Sequence, residues 1–91
     1  MNNKLNNLRK QIDKIDTSLI NLLAKRMKVV QKIGQYKKTK NLPSLDAVRW
    51  QQVLNSRTKK AKLLGLNSEF IKKIYELIHN YALKVEKSLI E

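Results

Sequence analysis

Leu5, Leu8, Ile12, Ile15, Leu19, Leu22, Val29, Ile33 and Tyr36 follow one spacing of threes and fours, broken only by Arg26. This seam predicts a single helix over residues 4–38. A shorter stripe of Ile20, Leu23, Met27 and Val30 widens its apolar face. A helix of that span is ~52 Å long, whereas a compact domain of ~100 residues has a radius of gyration near 13 Å. What remains of a 91-residue chain is too short to cover the seam. Burial therefore calls for a second chain, most simply a symmetric dimer with the long helices paired. Gly34 interrupts the pattern at ~1 kcal/mol relative to alanine, which marks the close approach of another backbone or a ligand.

Thr39 to Ser44, with the only proline at Pro43, reads as a loop. Ser44 is the expected N-cap of a second helix from about Leu45 to Leu63. Its apolar positions are sparse, so it is expected to be the most exposed element. Gly65 ends it and Asn67 caps a third helix, with Leu66 and Ile71 at the positions of a hydrophobic staple. Ile71, Ile74, Ile78, Tyr81 and Val85 carry that helix to about Leu89. The expected fold is all-α: one domain over residues 1–91, a long N-terminal helix, two shorter helices, and an intertwined homodimer.

Composition narrows the chemistry. No cysteine is present, which removes disulfides and thiolate sites. No apolar run approaches the ~20 residues of a membrane span, and the first residues lack the apolar core of a signal peptide. A cytoplasmic location without membrane association is expected. The net charge of +13 draws anions in general, although a Lys- and Asn-rich bias accounts for such an excess equally well. Only four of the twenty basic residues are arginine, the side chain that grips a carboxylate with two parallel hydrogen bonds.

Arg26 and Lys37 are eleven residues apart, so they point within ~20° of each other and lie ~16 Å apart along the axis. Long side chains leaning inward can hold one small ligand from both ends. Arg9 lies ~25 Å from Arg26 on the same straight helix and cannot reach that pocket in its own chain. In an antiparallel pair, a partner's Arg9 can. The plainer alternatives are that Arg9 and Lys37 are solvated flank residues and that Arg26 snorkels out of the seam. Asp46 and Arg49 are neighbours on one helix face, either as site residues or as a surface ion pair. Trp50 reads as a packing or interface residue and Glu86 as an acid beside the third seam. His79 is alone, without a second ligand at metal spacing, so no metal is expected. Neither a nucleophile–base pair nor a Gly-rich phosphate loop is present.

The order LRKQID at Leu8–Asp13, LLAKR at Leu22–Arg26, IGQYK at Ile33–Lys37 and LDAVR at Leu45–Arg49, followed by a helix ending near Glu86, resembles the all-α chorismate mutase family over residues 4–90. The resemblance implies an interlaced dimer with two pockets built from both subunits, converting chorismate to prephenate without a cofactor. It implies that Arg9 of one subunit and Arg26 of the other hold the substrate's two carboxylates. Lys37 would contact the ether oxygen and a carboxylate, Asp46 and Arg49 would line the pocket, and Glu86 would bond the ether oxygen. A pericyclic rearrangement needs a dianion held in a reactive shape and positive charge where the breaking bond gathers electrons. This inventory supplies both.

Three positions depart from the family pattern. Trp50 stands where many members have a glutamate that accepts from the substrate's hydroxyl. Ala82 replaces a frequent serine. Glu86 replaces glutamine, and must carry a proton to donate to the ether oxygen, so activity is expected to decline as pH rises. The competing readings are an isochorismate pyruvate-lyase on the same fold, a regulatory domain that binds a shikimate-pathway enzyme, and a basic nucleic-acid binder. Few aromatics and a seam-bound Arg26 argue against nucleic acid.

Overall fold

The computed structural model describes residues 3–90, which form three helices: α1 (Asn3–Thr39), α2 (Ala47–Leu63) and α3 (Ser68–Ile90). No strand occurs among the described residues. The all-α expectation holds, and α1 matches its expected span to within a residue at each end.

Capping chemistry sets the boundaries. After α1, Asn41 takes a left-handed φ of 56°, and the N–H groups of Asn41 and Leu42 donate to the carbonyls of Lys38 and Lys37. That pair of bonds closes the helix with a Schellman motif. The same motif ends α2: Gly65 has φ 79°, with its N–H donating to Lys62 and that of Leu66 to Ala61. Asn67 caps α3 as expected, its Oδ1 accepting from the Phe70 N–H at 2.9 Å.

The start of α2 differs from the expectation. Asp46, not Ser44, is the N-cap: its backbone is extended and its Oδ1 accepts from the Arg49 N–H at 3.0 Å. Leu45 therefore lies outside the helix. Aspartate and serine cap about equally well, and the Ser44 carbonyl is already engaged by the Lys37 ammonium at 2.6 Å.

α3 is the central element, packing on α1 and on α2, while α1 and α2 do not pack on each other. Val30 and Gly34 of α1, Val53 and Ala61 of α2, and Ala82 and Glu86 of α3 are the buried positions. Gly34 does mark a close approach. A Cβ there would stand 3.0 Å from Leu89 Cδ1 and 3.2 Å from the Glu86 Cα. The α1 stripe that meets α3 runs through Leu23, Met27, Val30 and Gly34, the shorter of the two apolar stripes.

The longer seam is left outside. Leu5, Leu8, Ile12, Ile15, Leu19, Leu22, Val29, Ile33 and Tyr36 are all exposed, and every position from 3 to 22 is exposed. The chain spans 60 Å with a radius of gyration of 16.9 Å, well above the ~13 Å of a compact chain of about this length. The most exposed stretch is thus the first half of α1 rather than α2, because α3 lies along the second half of α1 only and α2 packs on α3.

Candidate functional site

A cleft of about 240 Å³ opens where the second half of α1, the start of α2 and the end of α3 converge. Arg26 and Lys37 reach it from α1, Asp46, Arg49 and Trp50 from the first turn of α2, and His79 and Glu86 from α3. Its size lies below the ~300–1,000 Å³ of most drug-sized pockets. Val30, Val53 and Ala82 form its apolar floor.

Lys37 is the most constrained group. Its ammonium donates to Glu86 Oε1 at 2.7 Å and to the Ser44 carbonyl at 2.6 Å. The two side chains are only 18% and 10% exposed, so the pair is far less screened than a surface ion pair. It ties α1 to α3 and to the loop before α2. Removing either partner leaves a largely buried charge uncompensated.

Arg26 is half-buried at the border between the two apolar stripes of α1. It has no carboxylate within ion-pair distance, since Lys37–Glu86 is the one such pair among the described residues. A half-buried guanidinium that lines a cleft and has no ion-pair partner of its own has the chemistry to receive an anion. Asp46 and Arg49 are not the surface ion pair that their spacing allowed. The aspartate is engaged with the Arg49 backbone N–H instead, which leaves the Arg49 side chain available to the cleft.

Trp50 and His79 were not legible as a pair. Their rings stack with centroids 3.9 Å apart and planes 11° from parallel, forming one wall of the cleft. Burial lowers the His79 pKa below the ordinary 6.5; the Glu86 carboxylate opposes that, while Arg26 and Lys37 add to it. The signal available in the sequence was spacing: His79, Ala82 and Glu86 fall on one face of α3.

Arg9 is exposed on the first half of α1 and does not line the cleft. A second, larger cleft of about 490 Å³ lies between the end of α2 and the start of α3, where Arg57 and Lys60 meet Leu64, Leu66, Ile71 and Tyr75. Arg57 there donates to the Ser56 hydroxyl at 2.8 Å. Among the described residues no group of three or more His, Asp or Glu side chains is placed to hold a metal ion. No helix among them is long and apolar enough to cross a membrane.

Comparison with known proteins gives the site a context. The T-protein of Enterobacter agglomerans is 38% identical over 71 residues, covering 78% of this chain and 19% of that protein. The bifunctional chorismate mutase/prephenate dehydratase of Buchnera aphidicola subsp. Schizaphis graminum is 33% identical over 88 residues, or 97% of this chain and 23% of the relative. A protein of the same name from Aquifex aeolicus is 33% identical over 81 residues, covering 86% of the chain and 21% of that protein. The chain spans about a fifth of the length of these curated relatives. The family model for chorismate mutase type II matches residues 8–87, a stretch that includes every residue lining the cleft. By that match the chain belongs to the chorismate mutase type II family.

Proposed function

We propose that this chain is a chorismate mutase, rearranging chorismate to prephenate. The observation that carries the reading is the convergence of Arg26, Lys37 and Arg49 on one small cleft in a chain of this family. Chorismate is a flexible dianion, and its rearrangement breaks one C–O bond while forming one C–C bond within the same molecule. No proton, electron or covalent intermediate is exchanged with the protein. The protein's work is to hold the reactive shape and to present positive charge at the ether oxygen as that bond breaks.

Arg26 grips one carboxylate and Lys37 stands at the ether oxygen. Asp46 sets the first turn of α2 and thereby the position of Arg49. Glu86 stands beside Lys37 at the same oxygen. In the free protein Glu86 accepts from Lys37, and a carboxylate cannot donate to the ether oxygen, whereas an amide can. Glu86→Gln is therefore expected to keep or raise kcat/KM for chorismate, and a large loss in that variant would remove Glu86 from a donor role.

The second carboxylate falls to Arg9 of a second copy. The exposed seam of α1 supports this reading, because pairing two such helices covers the apolar stripe and carries each Arg9 toward the other chain's cleft. The chain is read as a single domain over residues 1–91, as its length allows, and its location as the cytoplasm. Relatives named bifunctional chorismate mutase/prephenate dehydratase support placing the reaction beside one that consumes prephenate, as a partner enzyme or a neighbouring domain.

The test is an assay of purified protein with chorismate and, separately, isochorismate, following prephenate and salicylate. Wild type is expected to form prephenate, with kcat/KM lowered ~10²–10³-fold or more in Arg26→Ala and Lys37→Ala, the loss typical of one electrostatic donor. Salicylate from isochorismate in place of prephenate would favour the lyase reading that Trp50 motivates. No turnover of either compound would overturn the catalytic assignment.

A further inference from the structure

We propose that His79, stacked on Trp50, is a binding residue of the cleft that takes up a proton as a dicarboxylate enters, so that anion binding and protonation are linked. The inference rests on the cleft's being the chorismate site and adds a group that the rearrangement does not itself require.

Three observations support it. First, His79 is the chain's only histidine, and it lines the same cleft as the charged groups. Those that share the cleft with it are Arg26 and Lys37 from α1, Asp46 and Arg49 from α2, and Glu86 from its own helix. Second, the Trp50 ring lies parallel to the imidazole at 3.9 Å. The stack holds the ring's orientation, and the indole face stabilises a cation placed against it. Third, in the free protein partial burial, Arg26 and Lys37 all favour the neutral ring, and the Glu86 carboxylate opposes them.

Entry of a dianion reverses this balance. Two negative charges arrive in a half-enclosed cleft, where charges interact far more strongly than in bulk water. They are drawn to Arg26 and Lys37, two of the groups that disfavour imidazolium in the free protein. The proton comes from solvent and forms an N–H bond on the imidazole; no other bond changes. Because the bound state holds the proton more tightly, affinity for the dianion rises as pH falls through the range in which His79 titrates.

A single histidine makes the measurement direct. The His79 Cε1–H resonance is followed against pH in wild-type protein, free and saturated with prephenate as the dicarboxylate probe. The expected result is a titration midpoint that moves upward on binding. Calorimetry in buffers of different ionisation enthalpy is expected to show net proton uptake near pH 6.5. To separate this from Glu86, both forms are compared in a Glu86→Gln background. With His79 intact, prephenate affinity is expected to rise ~3–10-fold from pH 7.5 to 5.5, as a linked proton requires. His79→Phe, which keeps an aromatic ring against Trp50 but cannot take a proton, is expected to abolish that rise.

A midpoint that stays in place or moves down on binding would overturn the inference while leaving prephenate formation, and so the proposed activity, intact. An undiminished pH dependence in His79→Phe would do the same. Failure of prephenate to bind a protein that also leaves chorismate unchanged would overturn both.

Discussion

The two halves of α1 share one apolar seam that is exposed along both, but only the second half carries a further stripe packed on α3. Residues 3–22 are exposed at every position, Leu5 through Leu22 included. From Leu23 onward the same helix lies on α3, buries Val30 and Gly34, and delivers Arg26 and Lys37 to the cleft. The shorter stripe from Leu23 on finds its complement within the chain, while the seam, Val29, Ile33 and Tyr36 included, has none among the described residues. Periodicity thus establishes that a face must be covered, but says nothing about which surface covers it. The proposed site divides along the same line, since the cleft draws on the second half of α1 while Arg9 stays on the first.

The largest effect expected from testing this division comes from mixing two variants. Arg9→Ala alters the first half and Lys37→Ala the second, and each alone is expected to lose most activity toward chorismate. If each pocket is built from both chains, co-refolding the two gives mixed dimers with one intact pocket, and about a quarter of wild-type activity returns for a statistical mixture. No recovery from folded, dimeric proteins would mean that Arg9 and Lys37 act within a single chain or not at all in one pocket.

A smaller effect is expected within the packed half. Gly34→Ala gains ~1 kcal/mol of helix propensity but places a methyl group 3.2 Å from the Glu86 backbone and 3.0 Å from Leu89 Cδ1. Overpacking of this kind costs about 1–3 kcal/mol, so a net loss in urea stability is expected, together with lower kcat/KM as Lys37 and Glu86 are pushed apart. An alanine at an exposed site of the first half, such as Asn21→Ala, serves as the control and is expected to be neutral or slightly stabilising.

The smallest effect is a pH dependence confined to the packed half. His79 binds its proton less readily in the folded protein than the ordinary 6.5 would give. Below pH 6.5 the unfolded chain therefore takes up protons that the folded chain resists, and stability falls as pH falls; above 6.5 this contribution is constant. A urea midpoint that drops between pH 7 and 5.5 in wild type, and drops less in His79→Gln, is the expected outcome.

Much of the architecture was legible because local chemistry determines it. The periodic run defined α1 to within a residue, Gly65 and Asn67 marked the α2–α3 turn, and Gly34 signalled a close backbone approach. The α2 start was misplaced because Ser44 and Asp46 are comparable caps, and only the third dimension shows that Lys37 has taken the Ser44 carbonyl. The convergence of Arg26, Lys37, Asp46, Arg49 and Glu86 on one cleft was legible through motif order. The Trp50–His79 stack was not, because it joins two helices whose register depends on packing rather than on either helix's own pattern.

One consequence of the packing order concerns how this cleft can change. α1 and α3 are in backbone contact at Gly34, so the separation between Lys37 and Glu86 is built into the main chain. α2 packs on α3 but never on α1, so it faces Arg26 and Lys37 only across the cleft. One side of the cleft is therefore set by backbone contact between α1 and α3, and the other by the side-chain packing of α2 on α3. Substitutions along α2 at Arg49 and Trp50 can reshape what the cleft admits while leaving the Lys37–Glu86 pair in place, and divergence in ligand preference should accumulate on that helix first.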